Sequence, residues 1–181
     1  MIYKYIDIEN QELISQKVYD YVVNRTSILQ GNPKQVWNNL DKEDFLAHVP
    51  ELIEVFKKMG EGLIPFLITI FKIEPESNVS VHTDGDKNIR LLWPVRNCLG
   101  SYTKFFEVDE KYIEKRDDGQ GEKYAHIINL EGAELLESVE LVKPIVFKPW
   151  IPHGIWTNPT CKEPRLTLTI AFNKSLDYML K

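Results

Sequence analysis

The spacing of apolar residues changes near position 60. Before it, apolar side chains recur at helical intervals: Ile14, Val18, Tyr21 and Val22 share one face of a helix over about residues 10–25. Asn32-Pro33 has the form of an N-cap followed by proline at the first helical position. Asp41, with Asp44 three residues on, resembles a second helix start. Leu52, Ile53, Phe56 and Met59 make an apolar stripe that stops at Gly60, a natural C-terminal cap, and Pro50 starts or kinks that last helix.

After residue 60 the period becomes that of strands. Short runs rich in Ile, Val, Phe and Thr cover 63–73, 79–83, 89–95, 104–108, 124–130, 138–142, 145–147 and 166–172. Turn residues such as Asp84-Gly85-Asp86 and Asp118-Gly119 separate them. About eight strands with no helix-length gaps predict an antiparallel sandwich or barrel, not alternating β-α units. The charged tract 109–123, with its two glycines, reads as an exposed hairpin or mobile lid. The expected fold is mainly β with N-terminal helices, in one domain over 1–181. A helical layer over 1–60 packs on a double-stranded β-helix (a cupin-like jelly roll) over 61–173.

Composition narrows the partners. The chain has 181 residues, 43% apolar and 27% charged, which suits a folded domain with a proper core. A net charge of −5 leaves no basic footprint, so no nucleic-acid partner is expected. Cys98 and Cys161 lie far apart without a CxxC pattern and read as reduced thiols. No signal peptide is visible, and the longest apolar stretch, 62–71, falls short of a membrane span. The expectation is a cytoplasmic protein with no membrane partner.

The chemistry concentrates in a few positions. Val79-Ser80-Val81-His82-Thr83-Asp84 alternates, so His82 and Asp84 share a strand face and converge on one ion. His153, in the proline-constrained segment Lys148-Pro149-Trp150-Ile151-Pro152-His153, supplies a third ligand from elsewhere in the fold. Two imidazoles and one carboxylate form the facial triad of Fe(II) oxygenases, with the opposite coordination face open. Zinc accepts the same ligands, so the donor set alone leaves the metal open. Arg165, Thr167 and Thr169 alternate with Leu166, Leu168 and Ile170, giving a polar face on an otherwise apolar strand.

HTD at 82–84, His153, and Arg165-Leu166-Thr167 together resemble the Fe(II)/2-oxoglutarate-dependent dioxygenases, in particular the aspartyl/asparaginyl β-hydroxylase-type branch. The resemblance covers about residues 62–172. It implies Fe(II), 2-oxoglutarate and O₂, with His82, Asp84 and His153 on the metal. It also implies that Arg165 binds the distal carboxylate of 2-oxoglutarate, Thr167 beside it, and that Arg90 helps hold the co-substrate. A planar guanidinium binds a carboxylate through two parallel hydrogen bonds, which lysine cannot do. The implied activity is hydroxylation of a small-molecule or peptidyl substrate. Oligomeric state is not legible.

Other residues carry weaker expectations. Asp86 competes with Asp84 as the carboxylate ligand but reads better as a turn residue. His126 reads as a satisfied, half-buried histidine. Trp156, close to His153, is the aromatic placed to wall a pocket, and Tyr102 and Lys104 are placed at the barrel mouth. No GxSxG, P-loop or dinucleotide-binding fingerprint is present. Two further readings stay open: a cupin-type metal protein of other activity, which does not need Arg165, and a non-enzymatic β-sandwich in which HTD is a turn.

Overall fold

The structure, a computed structural model, describes residues 1–30, 35–84, 87–117 and 123–181. Three helices lie in its first third: α1 (Gln11–Arg25), α2 (Lys42–His48) and α3 (Glu51–Met59). α1 buries Ile14, Ser15, Val18, Tyr21 and Val22, the expected face with one serine added. α2 starts as read: the Asp41 carboxylate accepts the Asp44 N–H at 2.9 Å, satisfying a donor the helix leaves open. α3 ends at Gly60, and its buried stripe is Leu52, Val55, Phe56 and Met59. Ile53 lies outside that stripe and is partly exposed.

Among the described residues twelve strands follow one another: β1 (Tyr3–Tyr5), β2 (Gln35–Asn39), β3 (Pro65–Ile73), β4 (Asn78–Thr83), β5 (Arg90–Arg96), β6 (Tyr102–Glu107), β7 (Ile113–Asp117), β8 (Lys123–Ile127), β9 (Glu134–Glu140), β10 (Ile145–Phe147), β11 (His153–Trp156) and β12 (Arg165–Phe172). They form two antiparallel sheets of six, ordered β1-β10-β5-β12-β3-β2 and β7-β8-β4-β11-β6-β9. The eight expected strands are present, and β1, β2, β7 and β11 are additional. The first 60 residues are therefore not a purely helical layer, because β1 and β2 add to the two edges of the first sheet. The helix start read at Asn32-Pro33 lies outside the described residues, and the segment just after it is strand β2. Within the charged tract, β7 pairs with β8 as a hairpin, whose connecting residues 118–122 lie outside the described residues.

The helices cover the outer face of the first sheet. Leu166, Leu168, Ile170 and Phe172 of β12 join Ile68, Ile70, Leu91 and Trp93 in one core with α1, α2 and α3. By the strand alternation, Arg165, Thr167 and Thr169 then face the second sheet, and all three are buried. A second apolar cluster, Leu92, Phe105, Val139, Leu141, Ile145 and Phe147, lies between the sheets where β5 and β10 meet β6 and β9. Tyr3 of β1 stacks on Phe105 at 6.1 Å and closes that flank. The opposite flank lies between β3–β2 and β4–β8–β7, and neither cluster reaches into it. No helix among the described residues is long and apolar enough to cross a membrane.

Candidate metal centre

β4 and β11 are neighbours in the second sheet, and their register sets His153 directly opposite His82. Directly opposed residues on one sheet face bring their side chains together. The two imidazole centroids are 4.6 Å apart. Asp84 lies one residue past β4, where its backbone N–H donates to the Pro149 carbonyl at 2.9 Å, tying it to the turn that delivers His153. One ligand atom from each of His82, Asp84 and His153 lies within 4.8 Å of the other two. The structure thus brings the three expected ligands to one place. Asp86 lies outside the described residues.

The local bonding selects which atoms are free. His82 Nδ1 lies 2.8 Å from the Ser80 carbonyl, and His153 Nδ1 lies 2.8 Å from the Ile151 carbonyl. A carbonyl only accepts, so each Nδ1 carries the proton and each Nε2 keeps its lone pair for a cation. This second contact also fixes the plane of each ring. Asp84 is divided in the same way. Its Oδ2 lies 3.2 Å from the Arg90 guanidinium, while Oδ1 faces His82 Nε2 at 3.6 Å. The free donors are two imidazole nitrogens and one carboxylate oxygen, a set that fits a first-row divalent metal.

β11 reaches this position through an irregular register at Gly154. A Cβ at Gly154 would stand 2.9 Å from the Val79 carbonyl oxygen and 3.1 Å from both Val81 and the Trp156 ring. The tight approach of β11 to β4 therefore depends on the missing side chain.

His153 is buried against Phe105 and Phe147, with ring centroids at 5.8 and 5.5 Å. Burial, aided by neighbouring His82, pushes its pKa from 6.5 down to about 4, although the Asp84 carboxylate opposes the shift. The folded, metal-free protein therefore keeps His153 neutral while the unfolded chain protonates it near pH 6.5. The stability this group contributes is present above pH 6.5 and is lost as pH falls toward 4. The loss should reach roughly 3 kcal/mol. Denaturant midpoints of the wild type and a His153→Leu variant between pH 7 and 4 check this: the difference should narrow on acidification.

Arg165 opens β12 on the inner face and is 2% exposed. Among the described residues no oxygen or nitrogen accepts from its three guanidinium nitrogens, and the polar neighbour it has is the Cys98 sulfur. Burial lowers its pKa from the ordinary arginine value, with the adjacent Cys98 sulfur opposing that shift. Cys98 is itself buried, which raises its thiol pKa, so a neutral thiol stands beside an uncompensated cation. The Thr103 hydroxyl, on the inner face of β6 with Phe105, is likewise buried without a partner among the described residues. Neither Cys98 nor Thr103 carried a sequence signal, because each looks like an ordinary strand or turn residue. Thr167 is buried one turn of the pleat from Arg165. Arg90 is buried too, but against Asp84.

Two expectations fail. Trp156 lies on the outer face of the second sheet, against Phe106 at 5.7 Å and under the Lys104 ammonium at 4.7 Å. It does not wall the interior, and Tyr102 and Lys104 alternate to the same outer side. The strand alternation reverses the direction of each residue along β6 and β11, so nearness to His153 in sequence puts Trp156 on the opposite face.

Neither a protein-family model nor a curated protein matches the chain. Its fold is similar to that of the epimerase SnoN, solved in complex with Fe3+, alpha-ketoglutarate and nogalamycin RO (TM-score 0.58, 11% identity, 94% of this chain and 78% of that one). It is also similar to the non-haem alpha-ketoglutarate-dependent carbocyclase SnoK from nogalamycin biosynthesis (TM-score 0.56, 11% identity, 94% and 79%). A third similar structure is AviO1 from Streptomyces viridochromogenes Tue57 (TM-score 0.55, 12% identity, 96% and 90%). At these identities the likeness is one of fold: a mainly β chain of two antiparallel sheets with three helices.

Proposed function

We propose that this chain is an Fe(II)- and 2-oxoglutarate-dependent oxygenase that hydroxylates a small organic or peptidyl substrate. The observation that carries the reading is the pairing of two features in one interior. A 2-His-1-carboxylate set has its donor atoms free, and a buried guanidinium on the inner face of the other sheet has no counter-anion among the described residues. The strand order supports taking β3 to β6 and β9 to β12 as the double-stranded β-helix, with β1, β2, β7 and β8 added at its edges.

In this reading His82, Asp84 and His153 hold the iron, and Arg165 holds the distal carboxylate of 2-oxoglutarate. The Thr167 and Thr103 hydroxyls supply further donors. Arg90 is paired with Asp84, whereas buried Arg165 has no counter-charge among the described residues, so an anionic co-substrate is favoured beside it. Iron with 2-oxoglutarate and O₂ supplies the oxidising power when bound. The protein's own work is positioning. The Ser80 and Ile151 carbonyls fix the imidazoles, Arg90 holds the outer oxygen of Asp84, and Phe105 and Phe147 keep water from the buried side of His153. No side chain need act as a general base.

Anaerobic titration with Fe(II), with and without 2-oxoglutarate, tests the assignment. The expected result is a weak visible charge-transfer band that needs both ligands and is lost in His153→Ala and Arg165→Ala. Metal uptake without the band would transfer the chain to the cupin-type reading, and no uptake would leave a β-sandwich without a metal.

A further inference from the structure

We propose that the open flank of the sandwich is the substrate cleft, and that it takes a small planar, largely apolar molecule with a hydrogen-bonding group. On β2, Val36 packs into the core beneath the helices, so Trp37 and Asn39 face the other way, toward the second sheet. The Asn39 to Thr69 side-chain hydrogen bond, 2.8 Å, confirms the shared face. The register places Trp37 opposite Phe71, and Phe71 opposite Thr167, in one row across the inner face. Trp37 is nevertheless 65% exposed, although it points into the space between the sheets.

The facing sheet continues the pattern. His153, His82, His126 and Glu114 occupy directly opposed positions on four successive strands, β11, β4, β8 and β7. The row therefore runs from the buried metal ligands outward to an exposed acid. His126 is half-buried, faces the same way as His82, and makes no side-chain hydrogen bond among the described residues. An aromatic row on the inner face of one sheet, and on the inner face of the other an imidazole without a hydrogen-bond partner among the described residues, one strand out from the metal ligands, suit a flat molecule whose polar group meets His126. The aromatic row of Trp37 and Phe71 favours a small flat molecule over an extended peptide, which would need main-chain partners along the cleft. The oxidation assigned to this cleft rests on the oxygenase reading, whereas the cleft itself does not.

The test uses 2-naphthol with Mn(II)-loaded protein, followed by ligand-observed saturation-transfer NMR and by paramagnetic broadening of the naphthol lines. Wild type should bind and broaden the probe. Trp37→Ala and His126→Ala should each weaken binding about tenfold. Phe66→Ala, which removes another exposed aromatic of β3, should leave binding unchanged. Absence of binding by protein that still takes up Mn(II), or binding indifferent to Trp37, would overturn the cleft. Equal, Trp37-dependent binding of a short Ala/Asn peptide would overturn the small-molecule class. Trp37-dependent binding by protein that takes up no Mn(II) would uphold the cleft and remove the oxygenase reading.

Discussion

Replacing Arg165 with methionine should make the metal-free protein more stable while abolishing its response to 2-oxoglutarate. The guanidinium is buried beside the neutral Cys98 thiol, with no counter-anion among the described residues. A buried, uncompensated charge opposes folding, and an apolar side chain of similar length removes that penalty. For a chain of this length the gain should appear as a melting temperature higher by roughly 5 °C. The wild type should behave oppositely toward ligand. With Mn(II) as a redox-silent metal and 2-oxoglutarate at about 100 times its Kd, it should gain about 2.7 kcal/mol. Arg165→Met should gain little under the same conditions. Thermal melts with and without 2-oxoglutarate decide the matter. A variant that is less stable than wild type yet still stabilised by 2-oxoglutarate would mean that Arg165 serves the fold and not an anion.

The largest loss of stability should come from Trp93→Ala. Trp93 lies on β5 beneath the helical layer and is fully buried. Its indole N–H donates to the Ser15 hydroxyl at 2.9 Å, and that hydroxyl donates to the Pro94 carbonyl at 2.8 Å. This relay explains the serine on the buried face of α1, and it links the helix to the central sheet. Removing the ring opens a cavity and leaves the relay without its donor, at a cost of about 3–5 kcal/mol. The melting temperature should fall by roughly 10 °C. Trp93→Phe should retain most of the packing and lose much less. By contrast, Trp37→Ala should scarcely move the transition, since its ring is mostly in solvent. Equal losses at Trp37 and Trp93 in circular-dichroism melts would refute this division between core and cleft.

The parts of this molecule that could be read in the sequence are those governed by local rules. The α2 cap at Asp41, the end of α3 at Gly60 and the alternation of Arg165 with Leu166 each follow from residues a few positions apart. The same holds for His82 with Asp84. What escaped was set by distant pairing. β1 is three residues long, and β2 contains two asparagines, so neither has a strong strand pattern without β10 and β3 beside it. β11 is short and contains Gly154, whose value lies in letting β4 approach. The Arg90 to Asp84 contact depends on strands from different sheets, and spacing along the chain does not reveal it. Trp156 misled because a neighbour in sequence on a strand points the other way.

The place of β12 in the first sheet has a consequence for how the chain folds. β12 is the last strand described, yet it lies centrally, hydrogen-bonded to β3 on one side and β5 on the other. Its partners are made some 70 to 100 residues earlier, and β1 must wait for β10 in the same way. Relative contact order is therefore high, and formation of the first sheet should be slow. Until residue 172 has been synthesised, β3 and β5 present unpaired edges flanked by apolar faces, a state prone to mispairing with another chain. Arg165, at the head of that strand, is buried only when the sheet closes, so its enclosed guanidinium is among the last features to form.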